Sequence, residues 1–151
     1  MEWMLMPYRR YADFSGRSRR MEYWMFTLLS AIVGTVIVLL MFGGMPLDAM
    51  SDPNALAADA QPGALFYVGA VIAAVWGLGS LIPSIAVTVR RFHDRDMSGW
   101  WYLGFIVASA IPIVGFVASI ALLVLMVLPG TKGPNRFGPD PLGQTDPEVF
   151  A

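Results

Sequence analysis

Between positions 90 and 96 the chain carries three arginines, its only histidine and two aspartates: Arg90, Arg91, His93, Asp94, Arg95 and Asp96. Ser98, Gly99, Trp100 and Trp101 follow directly. Two kinds of chemistry could use such a segment. His93 beside Asp94 has the ingredients of an acid–base or metal pair, and guanidinium groups grip phosphate bidentately. Neighbouring residues on a helix point about 100° apart, so His93 and Asp94 do not converge on one ion. One histidine, no cysteine and no H-E-x-x-H pattern leave zinc without a ligand set. No G-x-S-x-G supplies a serine nucleophile, and Gly130-Thr131-Lys132-Gly133 lacks the P-loop frame. The residues therefore assign no catalytic group, no metal and no cofactor. The arginines carry the stronger chemistry.

Hydropathy shows what must position them. Of 151 residues, 56% are hydrophobic and 14% charged, too little polar surface for a soluble domain of this length. Residues 1–21 form a basic amphipathic head with Arg9, Arg10, Arg17, Arg19 and Arg20. A first span follows over 22–43, long enough at about 1.5 Å per residue to cross a hydrocarbon core of about 30 Å. The run is too long for a signal peptide, so a retained anchor is expected. Residues 44–63 carry Asp48, Asp52, Asp59 and three prolines but no Lys or Arg, and read as an external loop. A second span covers 64–89. Its Pro83 should bend the helix, and Gly69, Ala70, Ala73, Ala74 and Gly77 should admit a close neighbour.

Residues 90–99 form the charged loop, with Ser98 expected to cap the next helix. The apolar stretch 100–128 is long for one crossing and short for two, and Pro112 breaks it near the middle. A short-helix hairpin fits best. It puts all ten Lys and Arg on one side, because Lys132 and Arg136 in the 129–151 tail then join the other eight. The expected fold is an all-α polytopic membrane protein. It has two full transmembrane helices followed by a short-helix hairpin, four helices in all, with both termini cytoplasmic.

Three segments stand out in order. They are Phe14-Ser15-Gly16-Arg17-Ser18-Arg19-Arg20-Met21-Glu22-Tyr23-Trp24, the 90–101 segment, and a tail running from Pro129-Gly130-Thr131 to Phe137-Gly138-Pro139-Asp140-Pro141. Together they resemble the bacterial inner-membrane family known as domain of unknown function 805. That family is marked by an F-x-G-R-x-x-R-x-E-[FY]-W start, an R-R-x-H-D-x-x-x-S-G-W-W middle and a P-G-x-x-G-x-N-x-[FY]-G-x-D-P end. The chain departs from it mainly in the 44–63 loop and in Asp96-Met97. The resemblance implies fold and inner-membrane location, and no established activity comes with it.

The plain account of the arginines is that they set topology, with Trp24, Trp100 and Trp101 as interfacial aromatics. Glu22 goes further: a carboxylate at the start of an apolar run needs a partner, and Arg90 or Arg91 lies at similar depth. A structural ion pair between Glu22 and one of them is expected. The candidate ligand-binding set is Arg17, Arg19, Arg20, Arg90, Arg91, His93, Asp94, Trp100, Asn135 and Arg136. It forms a cytoplasmic arginine–aromatic ring suited to anionic lipid headgroups or a protein contact, including another copy. The alternative is a membrane enzyme or transporter component working there on a phosphorylated or lipidic substrate. Apart from Glu22, no charge lies inside a span to form an ion path, and nucleic acid is not an expected partner. Since the chain has no cysteine, single introduced cysteines test the topology. Asp140→Cys should label with an impermeant thiol reagent only from the cytoplasmic side, and labelling only from outside would make 100–128 a single span.

Overall fold

A computed structural model describes residues 2–46 and 61–143. The loop aspartates Asp48, Asp52 and Asp59, and the tail end at 144–151, lie outside the described residues. Among the described residues the fold is all-α. Its elements are α1 (Glu2–Arg9), α2 (Arg20–Gly43), α3 (Ala64–His93), α4 (Trp100–Ser109) and α5 (Pro112–Val127). The expected four helices are thus corrected to five among the described residues. The extra helix, α1, forms within the basic head and has a proline, Pro7, inside it. Eight residues give too little periodicity to read, and a proline ordinarily argues against helix. Packing supplies the reason it forms: Pro7 is buried and Tyr8 meets Phe26 of α2 edge-on at 5.5 Å.

Helices α2 and α3 have 24 and 30 residues, which at about 1.5 Å per residue exceeds the roughly 30 Å of a hydrocarbon core. Their most apolar stretches are only 11% and 6% buried inside the protein. A soluble core helix would be covered by its own chain, so these surfaces need lipid. Two compact units share the chain, one made of Met1–Thr27 with Ile82–Ala151 and the other of Leu28–Leu81. In the second unit the backbones approach closely where side chains are small. A Cβ on Gly44 would fall 2.1 Å from the Phe66 nitrogen, and one on Gly69 would fall 2.7 Å from Met41 Cγ. Gly77, expected to share that role, has open space around it.

The first unit contains the hairpin. Pro112 takes the first position of α5 after an extended Ile111, where its missing N–H costs nothing. A Cβ on Gly115 would sit 2.8 Å from the Ser109 carbonyl oxygen, so α4 and α5 meet tightly at the bend. Ten residues make α4 about 15 Å long, half of what a crossing requires.

Helix α3 runs through Pro83 and beyond the expected end at 89, so Arg90, Arg91 and His93 occupy its last turn. It closes in a Schellman motif: Asp96 N–H donates to the His93 carbonyl and Met97 N–H to the Phe92 carbonyl, both at 3.0 Å. Asp96 is the left-handed residue, with φ 58°, where glycine is usual. The Asp96-Met97 departure therefore has a structural place. It also displaces the next helix start. Gly99, not Ser98, is the N-cap of α4, and no side chain caps it. Trp100 N–H donates to Ser98 Oγ at 3.4 Å, a long bond made from one residue before the cap position. Asp96→Gly should stabilise the protein by about 1 kcal/mol, because relief of the left-handed strain outweighs an exposed ion pair. A lower melting temperature than wild type would reject that reading of the turn.

Candidate functional site

The last turn of α3 sends its charged side chains into two clusters. In one, Arg90 is fully buried and its Nη2 lies 2.7 Å from Glu22 Oε1. Ser18 Oγ donates to the other carboxylate oxygen at 2.8 Å, and the Ser18 N–H meets the Arg90 carbonyl at 3.2 Å. Arg90 Nη1 donates to the carbonyls of Arg10, at 3.4 Å, and Asp13. The head loop is thereby folded around the guanidinium. Its own shape comes from Asp13, which accepts from Arg10 Nε and Nη2 at 2.9 and 2.7 Å and from the Ser15 N–H at 3.0 Å. The Ser15 hydroxyl, which donates to Asp13 Oδ1 at 2.5 Å, is the first cause holding the Asp13 carboxyl down at about 2, and Arg10 is the second. The stabilisation this gives is complete above the ordinary carboxylate range and fades only as pH falls toward 2.

The second cluster centres on Asp94, which is 5% exposed. Arg17 Nε and Nη2 reach its Oδ1 at 3.0 and 2.9 Å, and Arg91 Nη1 pairs with its Oδ2. Arg91 therefore pairs with Asp94, and Glu22 goes to Arg90 alone. Arg17 also donates to the Thr131 and Gly133 carbonyls, each at 2.6 Å. Arg91 donates to the carbonyls of Met126, at 3.3 Å, and Leu128, which end α5. An arginine on those orphan carbonyls meets the negative end of the helix dipole. The backbone of the tail passes so near Asp94 that a Cβ on Gly130 would lie 2.0 Å from Oδ2. Head, α3 and tail meet at this one carboxylate.

His93 faces elsewhere. Its ring stacks on Phe137 at 3.9 Å and 3°, and Nδ1 lies 3.1 Å from the Gly16 carbonyl. A carbonyl only accepts, so Nδ1 carries the proton and Nε2 the lone pair. Asn135 Nδ2 donates to the His93 carbonyl at 2.9 Å, and Arg136 pairs with the exposed Asp96 at 3.1 Å. Trp100 is 78% exposed and joins neither cluster.

Of the proposed ligand set, then, Arg90 and Arg91 are wholly buried; both terminal nitrogens of Arg90 and all three donors of Arg91 are held by the protein, and Arg90 Nε is enclosed without a partner among the described residues. They cannot reach a headgroup. Arg17, Arg19, Arg20 and Asp94 do line one cavity of about 240 Å³, together with Thr131, Lys132 and Asp140. Four cations face two carboxylates there. Asp94 serves Arg17, and Asp140 Oδ2 accepts from the Gly133 N–H at 3.1 Å. Arg19, half-buried over the Trp3 ring, donates Nε to the Pro141 carbonyl. Among the described residues, no carboxylate pairs with Arg19, Arg20 or Lys132. Sequence reading missed Lys132 and Asp140 because turn residues conceal where a tail goes.

The chain matches the family described as "Protein of unknown function (DUF805)" over residues 11–139. It belongs to that family. Inner membrane protein YhaI of Escherichia coli strain K12 is 38% identical over 142 residues, covering 93% of this chain and 96% of the relative. Inner membrane protein YhaH of the same strain is 35% identical over 141 residues, covering 93% and 97%. The uncharacterized protein YiiR is 30% identical over 147 residues, 85% of each chain. No solved structure matches. With its two lipid-length helices, the protein is an integral inner-membrane protein.

Glu22→Gln should destabilise the detergent-solubilised protein by about 3–5 kcal/mol, the usual result of orphaning a buried charge. The double variant Glu22→Gln with Arg90→Met should recover much of that loss. Thermal unfolding measures both, and a Glu22→Gln protein melting like wild type would rule out the pair as a clamp.

Proposed function

We propose that this is a multi-pass inner-membrane protein, with both termini in the cytoplasm, that binds the phosphate of an anionic lipid headgroup at its charged end. The observation carrying this reading is the basic cavity, where Arg19, Arg20 and Lys132 lack carboxylate partners among the described residues. Two guanidinium groups and an ammonium at a membrane interface suit a phosphodiester, and the anionic inner leaflet concentrates it nearby. All ten Lys and Arg fall in the unit that contains this cavity, and Leu28–Leu81 has none. The positive-inside rule supports a cytoplasmic location for that end. The buried arginines serve a different purpose: they hold head and tail in the shape that forms the cavity walls.

Native mass spectrometry of the full chain with phosphatidylglycerol and phosphatidylcholine tests the reading. Wild type should retain the anionic lipid about tenfold better, a difference of about 1.4 kcal/mol. The triple variant Arg19→Ala, Arg20→Ala, Lys132→Ala should lose that preference while keeping its melting temperature. Arg136→Ala, outside the cavity, should keep it. Equal retention of both lipids by wild type, or an unchanged preference in the triple variant, would discard the headgroup site.

A further inference from the structure

A second cleft, of about 520 Å³, lies between the end of α3 and the start of α4. Its size is that of a small-molecule site. Among the described residues, no lysine, arginine, aspartate or glutamate lines it. The walls include Phe14, Val89, Trp100, Tyr102 and Leu103, with His93 as the one titratable ring among them besides Tyr102. Trp100 and Leu103 are 78% and 50% exposed on α4, so the cleft opens sideways toward lipid.

His93 is held as an oriented acceptor. Nδ1 is committed to the Gly16 carbonyl, and Phe137 stacks flat against the ring. Nε2 then points to the cleft: a Cβ built on Gly99, a wall residue, would lie 3.4 Å from it. Among the described residues no hydrogen bond reaches Nε2. A part-buried lone pair without a donor asks for one from a ligand.

We propose that this cleft binds a quinol, a phenol-headed amphiphile of the membrane, whose hydroxyl donates to His93 Nε2. The ring would lie among Phe14, Trp100 and Tyr102, and the apolar tail would leave past Leu103 into lipid. The lining separates this ligand from its neighbours. A phospholipid phosphate finds no cation here, unlike in the basic cavity. A quinone offers only acceptors, so it could take a hydrogen bond from the Ser98 or Tyr102 hydroxyl but leaves the neutral Nε2 without a donor. A simple alkyl alcohol could donate but gains nothing from three aromatic walls. The proposal involves binding alone, with no electron transfer, and does not depend on the headgroup reading.

The test is native mass spectrometry of the full chain under anaerobic conditions with decylubiquinol, decylubiquinone and 1-decanol. Decylubiquinol should bind about tenfold better than either, the effect of one hydrogen bond plus ring contact. His93→Phe keeps a ring on Phe137 and should erase the quinol–quinone difference. Leu103→Trp leaves every His93 contact in place, fills the cleft and should abolish binding of both. If His93→Phe does not fold, Leu103→Trp decides. Equal binding of quinol and quinone, equally tight 1-decanol, or quinol binding untouched by Leu103→Trp would each overturn the proposal.

Discussion

Asp94 accepting from Arg17 and Arg91 is the interaction on which the rest of the charged end depends. The two guanidinium side chains are 1% and 0% exposed, and the carboxylate side chain 7%. Arginine does not escape burial by losing its proton, so each of its donors needs an acceptor. One aspartate cannot supply them all. The remaining acceptors are backbone carbonyls at Met126, Leu128, Thr131 and Gly133. A tail rich in proline and glycine, with little apolar surface of its own, is thereby given a defined path. Buried ion pairs often add little net stability. What this cluster supplies is uniqueness, since any other packing of head and tail would leave a buried cation without acceptors.

The distribution of side chains is the inverse of a soluble protein's. Leu39, Val71, Val75 and Leu78 on the long helices are more than 60% exposed, while Arg90, Arg91 and Glu22 are inside. Lipid gives apolar surfaces no reason to leave it, so helices in a bilayer are joined by close packing and polar contacts instead. Leu28–Leu81 uses the first, with Gly44 and Gly69 letting backbones touch. The charged unit uses the second, with Glu22 and Arg90 tying the start of α2 to the end of α3. Such a unit is most specific where it is most polar.

This division explains what could be read from residues alone. The long apolar runs, the break at Pro112 and the one-sided arginines are one-dimensional signals, and they yielded the helix order and the hairpin. The partner of Glu22 was readable only as one of two arginines. Arg90 and Arg91 are adjacent and about 100° apart, so helix phase chooses between them. The role of Asp94 was not readable: it accepts from two arginines 74 residues apart in sequence. The Ser98 cap failed for a local reason: Asp96 takes the left-handed position and the chain enters α4 one residue later than pattern suggests. Lys132 and Asp140 were invisible because loop positions have no period. Only the carbonyls that Arg17 captures determine where they end up.

His93 and Asp94 are neighbours, and their divergence organises the surface left over for ligands. Asp94 lines the basic cavity and His93 the apolar cleft, with the same final turn of α3 between them. Each is fixed by the same two partners in the chain, the head loop and the tail. Gly16 and Arg17 reach one residue each, and so do Phe137 and Thr131. A shift of the tail that alters the Asp94 cavity must therefore also disturb the stack on His93. The two surfaces differ in chemistry, one cationic and one neutral, yet they rest on one backbone turn. Coupling between them needs no long pathway, only the rigidity that the buried arginines already impose.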